Sequence, residues 1–265
     1  MTSTRPLAFF LGGYDLEMVT IRELLADRPG VRVIDRKLSW GAKASAYAEE
    51  ITEALARGET AVLVELENDL GLELGQVINL DHHGASAGAE ASTSLEQVFA
   101  LLALPPSHWT RWHALVAAND RGHIPAMREL GASDAEVARV RTADRAAQGI
   151  SAEQERDAEA AIAGAEVVAG GDLVIVRLPH ARTAAVVDRL VMQPAPPENV
   201  LVLAPQEVNF FGRGDLVHAL DARFPGGWKG GALPSRGFWG RSGDGAEVSA
   251  FVREELHQTS RIVTR

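Results

Sequence analysis

The first half of the chain alternates short apolar runs with longer stretches in which apolar residues recur at helical spacing. The apolar runs have the length of buried strands and cover residues 7–11, 31–34, 61–64 and 77–80. The helical stretches between them include residues 19–27 and 44–56. Strands that alternate with helices form βαβ units, which build a parallel sheet covered on both faces. The pattern therefore predicts an α/β fold with a parallel sheet in its N-terminal part.

The second half predicts a helical connection followed by a smaller α/β domain. Residues 95–166 are charged and rich in alanine, with helical periodicity, and a Gly170-Gly171-Asp172 turn follows them. Strands are then predicted at residues 173–176, 200–203 and up to 211, and helices at 184–192, 216–223 and 247–256. We expect an N-terminal domain at residues 1–150, a helical linker at 151–169 and a C-terminal domain at 170–265.

Acidic side chains follow the apolar runs directly. Asp15 and Glu17 come after Gly12-Gly13; Glu65 and Glu67 follow residues 61–64; Asp81, His82 and His83 follow residues 77–80; Asp120 follows an apolar run at 114–118. In open α/β sheets, ligands collect at the carboxyl ends of the strands. Imidazole and carboxylate together suit a divalent ion such as Mn²⁺ or Mg²⁺. The alternative is that these are ordinary turn acids and surface histidines after core strands.

A glycine-rich segment between residues 212 and 245 carries basic and aromatic side chains. Its cations are Arg213, Lys229, Arg236 and Arg241, and its aromatic residues include Trp228, Phe238 and Trp239. Backbone amides of glycine-rich chain and guanidinium groups bind phosphate oxygens, and aromatic faces can stack on a base. The alternative is a flexible surface loop with scattered charges.

Composition narrows the class of protein. The chain has 265 residues, enough for one large or two medium domains, and contains no cysteine, so only oxygen and imidazole ligands are available. A net charge of -10 argues against binding of duplex DNA. The N-terminal residues lack the apolar region of a signal peptide, and no apolar run is long enough to span a bilayer. We therefore expect a cytoplasmic protein without a membrane partner.

The order and approximate spacing of the acidic sites resemble the DHH phosphoesterase superfamily. Its first motif, His-x-Asp-x-Asp, corresponds to residues 13–17, where the usual histidine is missing. Its second motif is a single Asp, for which Glu65 is the closest match and Glu67 the alternative. The third motif is intact as Asp81-His82-His83, and the fourth motif matches Asp120.

The C-terminal part resembles the DHH-associated domain of the same superfamily. The Gly-Gly-His loop of that domain corresponds to Gly226-Gly227-Trp228-Lys229-Gly230-Gly231, in which Trp228 replaces the histidine. The resemblance thus spans most of the chain and implies a parallel-sheet domain joined by helices to a smaller α/β substrate domain.

The resemblance also implies roles for individual residues. One or two Mn²⁺ or Mg²⁺ ions are expected on Asp15, Glu17, Glu65, His82 and Asp120, with Glu65 as the bridge between two ions. His123 is a candidate replacement for the missing histidine. Asp81 is expected to orient a histidine and His83 to face the scissile phosphate. Substrate is expected on Arg213, Gly226, Gly227, Lys229, Gly230, Gly231 and Arg236.

The implied activity is hydrolysis of a phosphoester or phosphoanhydride bond by a metal-activated hydroxide. The expected substrate is a small phosphorylated molecule or a short single-stranded oligonucleotide, and a homodimer is one option for assembly. The alternative is a ligand-binding or regulatory module that kept the fold after losing one metal position.

Overall fold

The computed structural model describes residues 5–39, 41–73, 75–82 and 92–263. The chain divides into two compact units, Met1–Gly149 and Ile150–Arg265. Among the described residues, no helix combines the length and the apolar character needed to cross a membrane.

The first unit contains a parallel sheet with strand order β2-β1-β3-β4. Its strands are β1 (Leu7–Leu11), β2 (Val31–Asp35), β3 (Thr60–Val64) and β4 (Val77–Leu80). Its α-helices are α1 (Leu16–Leu25), α2 (Ala48–Ala56), α3 (Ser94–Leu101), α4 (Arg111–Glu129) and α5 (Asp134–Ala147), with short 3-10 helices at Ala44–Tyr47 and Pro106–His108. The predicted α/β fold with a parallel N-terminal sheet is confirmed.

The strands of this sheet are buried on both faces, which explains their unbroken apolar sequences. Phe10 and Leu63 pack with Tyr47 and Ile51 on one face, and Phe9 on the other face is also fully buried. The parallel register places Leu11 beside Val64 and Val64 beside Leu80. The carboxyl ends of β1, β3 and β4 therefore lie side by side, and the sheet order reverses between β1 and β3.

The apolar run at residues 114–118, which precedes Asp120, lies inside helix α4, within the stretch that the sequence predicts to be helical. Thr110 begins the helix as an N-cap, with its side chain accepting a hydrogen bond from His113 N. A short apolar run fits a buried helix as well as a strand, so the run alone could not distinguish them. Helical geometry is interrupted at Gly122 and His123, directly after Asp120.

The second unit contains a mixed sheet with strand order β5-β6-β7-β8-β10-β9. Its strands are β5 (Glu166–Val168), β6 (Leu173–Arg177), β7 (Asn199–Ala204), β8 (Glu207–Arg213), β9 (Trp228–Gly230) and β10 (Arg236–Ser242). Its α-helices are α6 (Ala152–Ala163), α7 (Ala184–Val191), α8 (Gly214–Arg223) and α9 (Ala246–Val263). Residues 152–168, placed by the sequence in a helical linker, supply α6 and β5 to this unit, and Ala158 of α6 packs against Val176 and Val202.

The sequence predicts a loop for the glycine-rich segment, but much of the segment forms strands β9 and β10. Strand β10 pairs with β8 in antiparallel fashion along its whole length. Arg236 lies opposite Arg213 at one end, and Ser242 lies opposite Glu207 at the other. A side chain at Gly230 would place Cβ 2.7 Å from the Phe238 ring. Glycine there makes room for an aromatic ring in a regular sheet, so a flexible loop is the wrong description of these strands.

Candidate metal centre

Four side chains from four different segments converge at the carboxyl edge of the first sheet. They are Glu17 of α1, Glu65 after β3, His82 after β4 and Asp120 of α4. One ligand atom from each lies within 4.8 Å of the others. This position is next to the reversal of strand order between β1 and β3, where ligands of open α/β sheets bind.

Close backbone packing brings the loop after β1 against Glu65. Gly12 N donates to Val64 O at 2.8 Å, and Glu65 N donates to Leu80 O at 2.9 Å. A Cβ on Gly12 would lie 2.1 Å from Glu65 O, so only glycine fits at this position. Glu65 itself adopts a left-handed backbone conformation, with φ 52°. The chain therefore turns sharply at the end of β3, directly at this acidic side chain.

The N-terminus of α3 holds two of the carboxylates. Leu95 N donates to Glu17 Oε1 at 2.8 Å, and Ser94 Oγ donates to Glu65 Oε1 at 3.0 Å. Thr93 and Glu96 form a capping box that begins this helix. Backbone N–H groups and the helix dipole both favour negative charge at this end. Ser94 and Leu95 were not predicted as site residues, although the Thr93-x-x-Glu96 pattern is the usual signature of such a helix start.

His82 is the only nitrogen donor of the four-residue group. Its Nε2 lies 2.5 Å from Asp120 Oδ2, 3.4 Å from Glu65 Oε1 and 3.8 Å from Glu17 Oε2. Burial by itself would lower the pKa of His82, but its contacts with Asp120 and Glu65 outweigh burial and raise the pKa to about 10. In the absence of a cation, a protonated imidazole therefore balances part of the carboxylate charge.

Glu17 is the most deeply buried carboxylate of the group, with 2% of its surface exposed. Burial, followed by the charges of Asp120 and Glu65, raises the pKa of Glu17 well above its ordinary value. Its Oε2 is buried and makes no hydrogen bond with any described residue.

The four donors fit a divalent cation. An octahedral ion with bonds of about 2.1 Å has adjacent ligands about 3.0 Å apart and opposite ligands about 4.2 Å apart. The separations of 3.4 Å and 3.8 Å from His82 Nε2 lie in this range, and the 2.5 Å contact with Asp120 would lengthen when an ion binds. The charge of a cation would also compensate the buried carboxylates and give Glu17 Oε2 a partner. Three carboxylate oxygens and one imidazole nitrogen form a donor set suited to Mn²⁺.

Asp15 lies beside this group but is not one of its four members. Its side chain caps α1 by accepting a hydrogen bond from Met18 N at 2.9 Å, and it lines a cavity of about 210 Å³ together with Tyr14, Arg22 and Lys37. Burial is the main cause that raises the pKa of Asp15 to about 7, while the hydrogen bond from Met18 N lowers it.

The other residues singled out in the first unit lie elsewhere or cannot be placed. Glu67 is exposed and pairs with Lys43 at 3.0 Å, so the geometry favours Glu65 over Glu67 as a ligand. The backbone oxygen of Asp81 accepts a hydrogen bond from Gln97 Nε2 at 3.1 Å. His123 is not in the four-residue group and has a left-handed φ of 58°. His83 lies outside the described residues.

The cations expected to bind substrate already have partners within the second unit. Arg213 forms a bidentate ion pair with Asp215, and Lys229 pairs with Asp221. Arg236 Nη2 donates to the backbone oxygen of Glu198 at 2.8 Å.

The glycines predicted to bind substrate have structural reasons of their own. A Cβ on Gly227 would lie 2.4 Å from Gly240 O, and Gly226 and Gly231 have positive φ angles. Gly230 lies beneath Phe238, as described above. No substrate is needed to explain glycine at these four positions.

Comparison with solved structures identifies the fold. A structure described as the DHH domain of a member of the s1p family of ribosomal proteins has a TM-score of 0.53 at 13% identity, covering 95% of this chain and 87% of that chain. An exopolyphosphatase-related protein from Bacteroides fragilis has a TM-score of 0.55 at 12% identity, covering 99% of this chain and 95% of that chain. No protein-family model and no curated protein sequence matches. The chain thus has the fold of DHH-domain proteins.

The raised pKa of Asp15 gives a prediction for the metal-free protein. Because its folded-state pKa of about 7 lies above its ordinary value of 3.8, Asp15 favours folding at low pH, and this contribution is lost as the pH rises to about 7. Asp15→Asn keeps a good N-cap and cannot ionise. We expect this variant to exceed the wild type in unfolding free energy by about 1–3 kcal/mol at pH 8, with little difference at pH 4.

Urea denaturation of the metal-free protein at both pH values measures this difference. Glu49→Gln, on the exposed side of α2, is the control and should not change the pH dependence. An Asp15→Asn protein no more stable than the wild type at pH 8 would refute the prediction.

Proposed function

We propose that this protein hydrolyses a phosphoester or phosphoanhydride bond with the help of a divalent metal ion. The observation that carries the proposal is the convergence of Glu17, Glu65, His82 and Asp120 at the carboxyl edge of the first sheet. The metal-ligand pattern of the DHH phosphoesterases, which this sequence resembles, places carboxylates and a histidine at the same four motifs. The proposed substrates are small phosphorylated molecules or short single-stranded oligonucleotides.

The four side chains would hold the ion directly. A bound divalent ion supplies a water of lowered pKa and stabilises negative charge on phosphoryl oxygens. Glu17 and Glu65 are oriented for this role by Leu95 N and Ser94 Oγ of α3. His82 must lose its proton to bind the ion, so metal binding should release protons from the site.

We propose one ion at this site, because the residues around Asp15 do not complete a second one. Gly13 stands where the first DHH motif has histidine. A Cβ on Gly13 would lie 3.5 Å from both Asp15 Oδ2 and Glu65 Oε2, so a side chain there would begin between these two carboxylates. The carboxylate oxygens of Asp15 and Glu65, without an imidazole, form a weaker cation site than the four donor atoms of the four-residue group.

We propose that the second unit binds a phosphate group through Arg236. Arg236 is bound to a neutral carbonyl group, whereas Arg213 and Lys229 each pair with a carboxylate. A phosphate group would therefore displace the partner of Arg236 more easily than those of the other two. The roles of Asp81 and His83 remain part of the proposal, with Asp81 orienting a histidine and His83 facing the scissile phosphate.

For metal binding, we predict that the wild-type chain takes up one equivalent of Mn²⁺, and that His82→Ala lowers the affinity at least about 100-fold by removing the only nitrogen donor of the four. Isothermal titration in buffers of different ionisation enthalpy measures both affinity and proton release. His180→Ala, in the second unit, is the matched control and should bind like the wild type. A His82→Ala protein that is folded and binds Mn²⁺ normally would exclude His82 as a ligand.

Hydrolysis is tested on the same proteins loaded with Mn²⁺. The substrates are a linear 5′-phosphorylated dinucleotide and inorganic pyrophosphate, which represent the two bond types. We expect turnover of at least one by the wild type and by His180→Ala, and none by His82→Ala. A wild-type protein that binds Mn²⁺ and the dinucleotide but cleaves neither substrate would contradict the proposed activity.

Another prediction restores the missing histidine. Gly13→His combined with Met18→Ala, which removes the side chain 2.8 Å from the new Cβ, should bind a second equivalent of Mn²⁺. Met18→Ala alone is the control and should keep one equivalent. A wild type that already binds two equivalents would overturn the single-ion proposal.

A separate prediction concerns Arg236, whose proposed role is a two-pronged hydrogen bond to phosphate that lysine cannot provide. Arg236→Lys should weaken binding of a phosphorothioate-linked dinucleotide about 10-fold or more, and more than Arg213→Lys does. Mn²⁺ affinity should not change. Arg253→Lys, which alters an ion pair with Glu166, is the control. Equal affinities for the dinucleotide across these proteins would remove Arg236 from the proposed substrate site.

A further inference from the structure

We propose that a buried ion pair in helix α5, Arg141 with Asp144, positions the metal ligands Glu17 and Asp120 relative to each other. The proposal rests on the metal site put forward above and adds two positioning residues to it. Neither residue belongs to a motif of the DHH resemblance, and neither lies in the four-residue ligand group.

The pair is almost fully buried and is bonded to both neighbouring helices. Arg141 has 3% and Asp144 4% of its surface exposed. Arg141 Nη1 donates to Asp144 Oδ2 at 2.8 Å, and Gln148 Nε2 donates to the same oxygen at 2.9 Å. Helix α5, which carries Arg141 and Asp144, packs against α1 and α4. Those two helices carry Glu17 and Asp120.

Asp144 fixes the start of α1. Its Oδ1 accepts a hydrogen bond from Leu16 N at 3.1 Å, and Leu16 is the residue between the N-cap Asp15 and the ligand Glu17. Met18 N is capped by Asp15, so two carboxylates hold the first turn of this helix. A shift of Leu16 would move Glu17 with it, because one peptide unit separates them.

Arg141 fixes the part of α4 that carries Asp120. The same Nη1 donates to Asn119 Oδ1 at 2.8 Å, and Asn119 has 9% of its surface exposed. Regular helical geometry ends two residues after Asp120, at Gly122 and His123, so the helix beyond this point does not hold Asp120 in place. The bond between Arg141 and Asn119 is therefore a direct constraint on this last regular turn.

A buried ion pair is weak evidence for a role in stability, because desolvation costs about as much as the attraction returns. Its two charges do, however, impose hydrogen-bond geometry on Leu16 N and Asn119. Residues behind metal ligands orient them, and their loss typically costs about 10–100-fold in metal affinity.

The experiment measures Mn²⁺ affinity, the absorption spectrum of the Co²⁺-loaded site and the stability of the metal-free protein. The variants are Arg141→Met, which removes the guanidinium, and Asp144→Asn, which can still accept from Leu16 N but cannot accept from Arg141. We expect both variants to bind Mn²⁺ about 10–100-fold more weakly and to change the Co²⁺ spectrum. If the ion pair contributed only to stability, the Mn²⁺ affinity and the Co²⁺ spectrum of the folded variants would be the same as those of the wild type.

Glu59→Gln is the matched control. Glu59 pairs with Arg32 at 2.7 Å beside the start of β3, at the opposite edge of the same sheet from the metal ligands. This variant should keep the wild-type Mn²⁺ affinity and Co²⁺ spectrum whatever its stability. If Arg141→Met does not fold, Asn119→Ala replaces it, because this change removes the side-chain acceptor on α4 and leaves the ion pair in place.

The outcomes separate this inference from the proposed function. If the wild type binds no Mn²⁺, the proposed metal site fails. If the wild type binds Mn²⁺ and the folded variants at Arg141, Asp144 and Asn119 bind it within about twofold with an unchanged Co²⁺ spectrum, the positioning role is overturned while the metal site stands.

Discussion

The structure of the first unit depends on one electrostatic constraint, the burial of three carboxylates around a single imidazole. Buried charges are costly unless they are paired and hydrogen-bonded. The chain meets part of this requirement with Leu95 N and Ser94 Oγ of α3 and with a protonated His82. One positive charge beside Glu65 and Asp120 leaves negative charge in excess even when Glu17 is protonated, so a divalent cation complements the site better than a proton does. This imbalance is the physical reason to regard the cluster as a ligand site.

The backbone adopts unusual conformations at or near two of the proposed metal-binding residues. Glu65 occupies the left-handed region, a conformation that costs a side chain with a Cβ about 1–2 kcal/mol. His123, three residues after Asp120, also has a positive φ. Such conformations persist where the surrounding structure enforces them, and they cluster at functional sites. The hydrogen bond between Glu65 N and Leu80 O and the close contact of Gly12 supply that enforcement at the end of β3.

The first sheet could be predicted from the sequence, because buried parallel strands are continuous apolar runs and their carboxyl ends must meet. All four members of the four-residue group were among the predicted ligands, although Asp120 lies on a helix and not at the end of a strand. Other features carry no such local signal. The run at residues 114–118 fits a helix as well as a strand, and strand β10 contains two glycines, Gly237 and Gly240, which favour a loop. Arg141 and Asp144 have the spacing of an ordinary surface pair on a helix. Only the packing of α5 against α1 and α4 shows that the pair is buried and bonded to both.

The charge distribution also restricts which ligands the second unit can accept. The net charge is -10, and both Arg213 and Lys229 pair with acidic residues close by in the sequence. A ligand that binds Arg213 or Lys229 would have to replace an existing carboxylate partner, and a single weak negative charge gains little from that exchange. A phosphate group offers more charge and more acceptor oxygens than a carboxylate, so the exchange can favour it. Arg236, whose partner is a neutral carbonyl, has the least to lose and would make the first contact. Intramolecular ion pairs would in this way select phosphorylated ligands over simple carboxylic acids in a protein whose overall charge repels both.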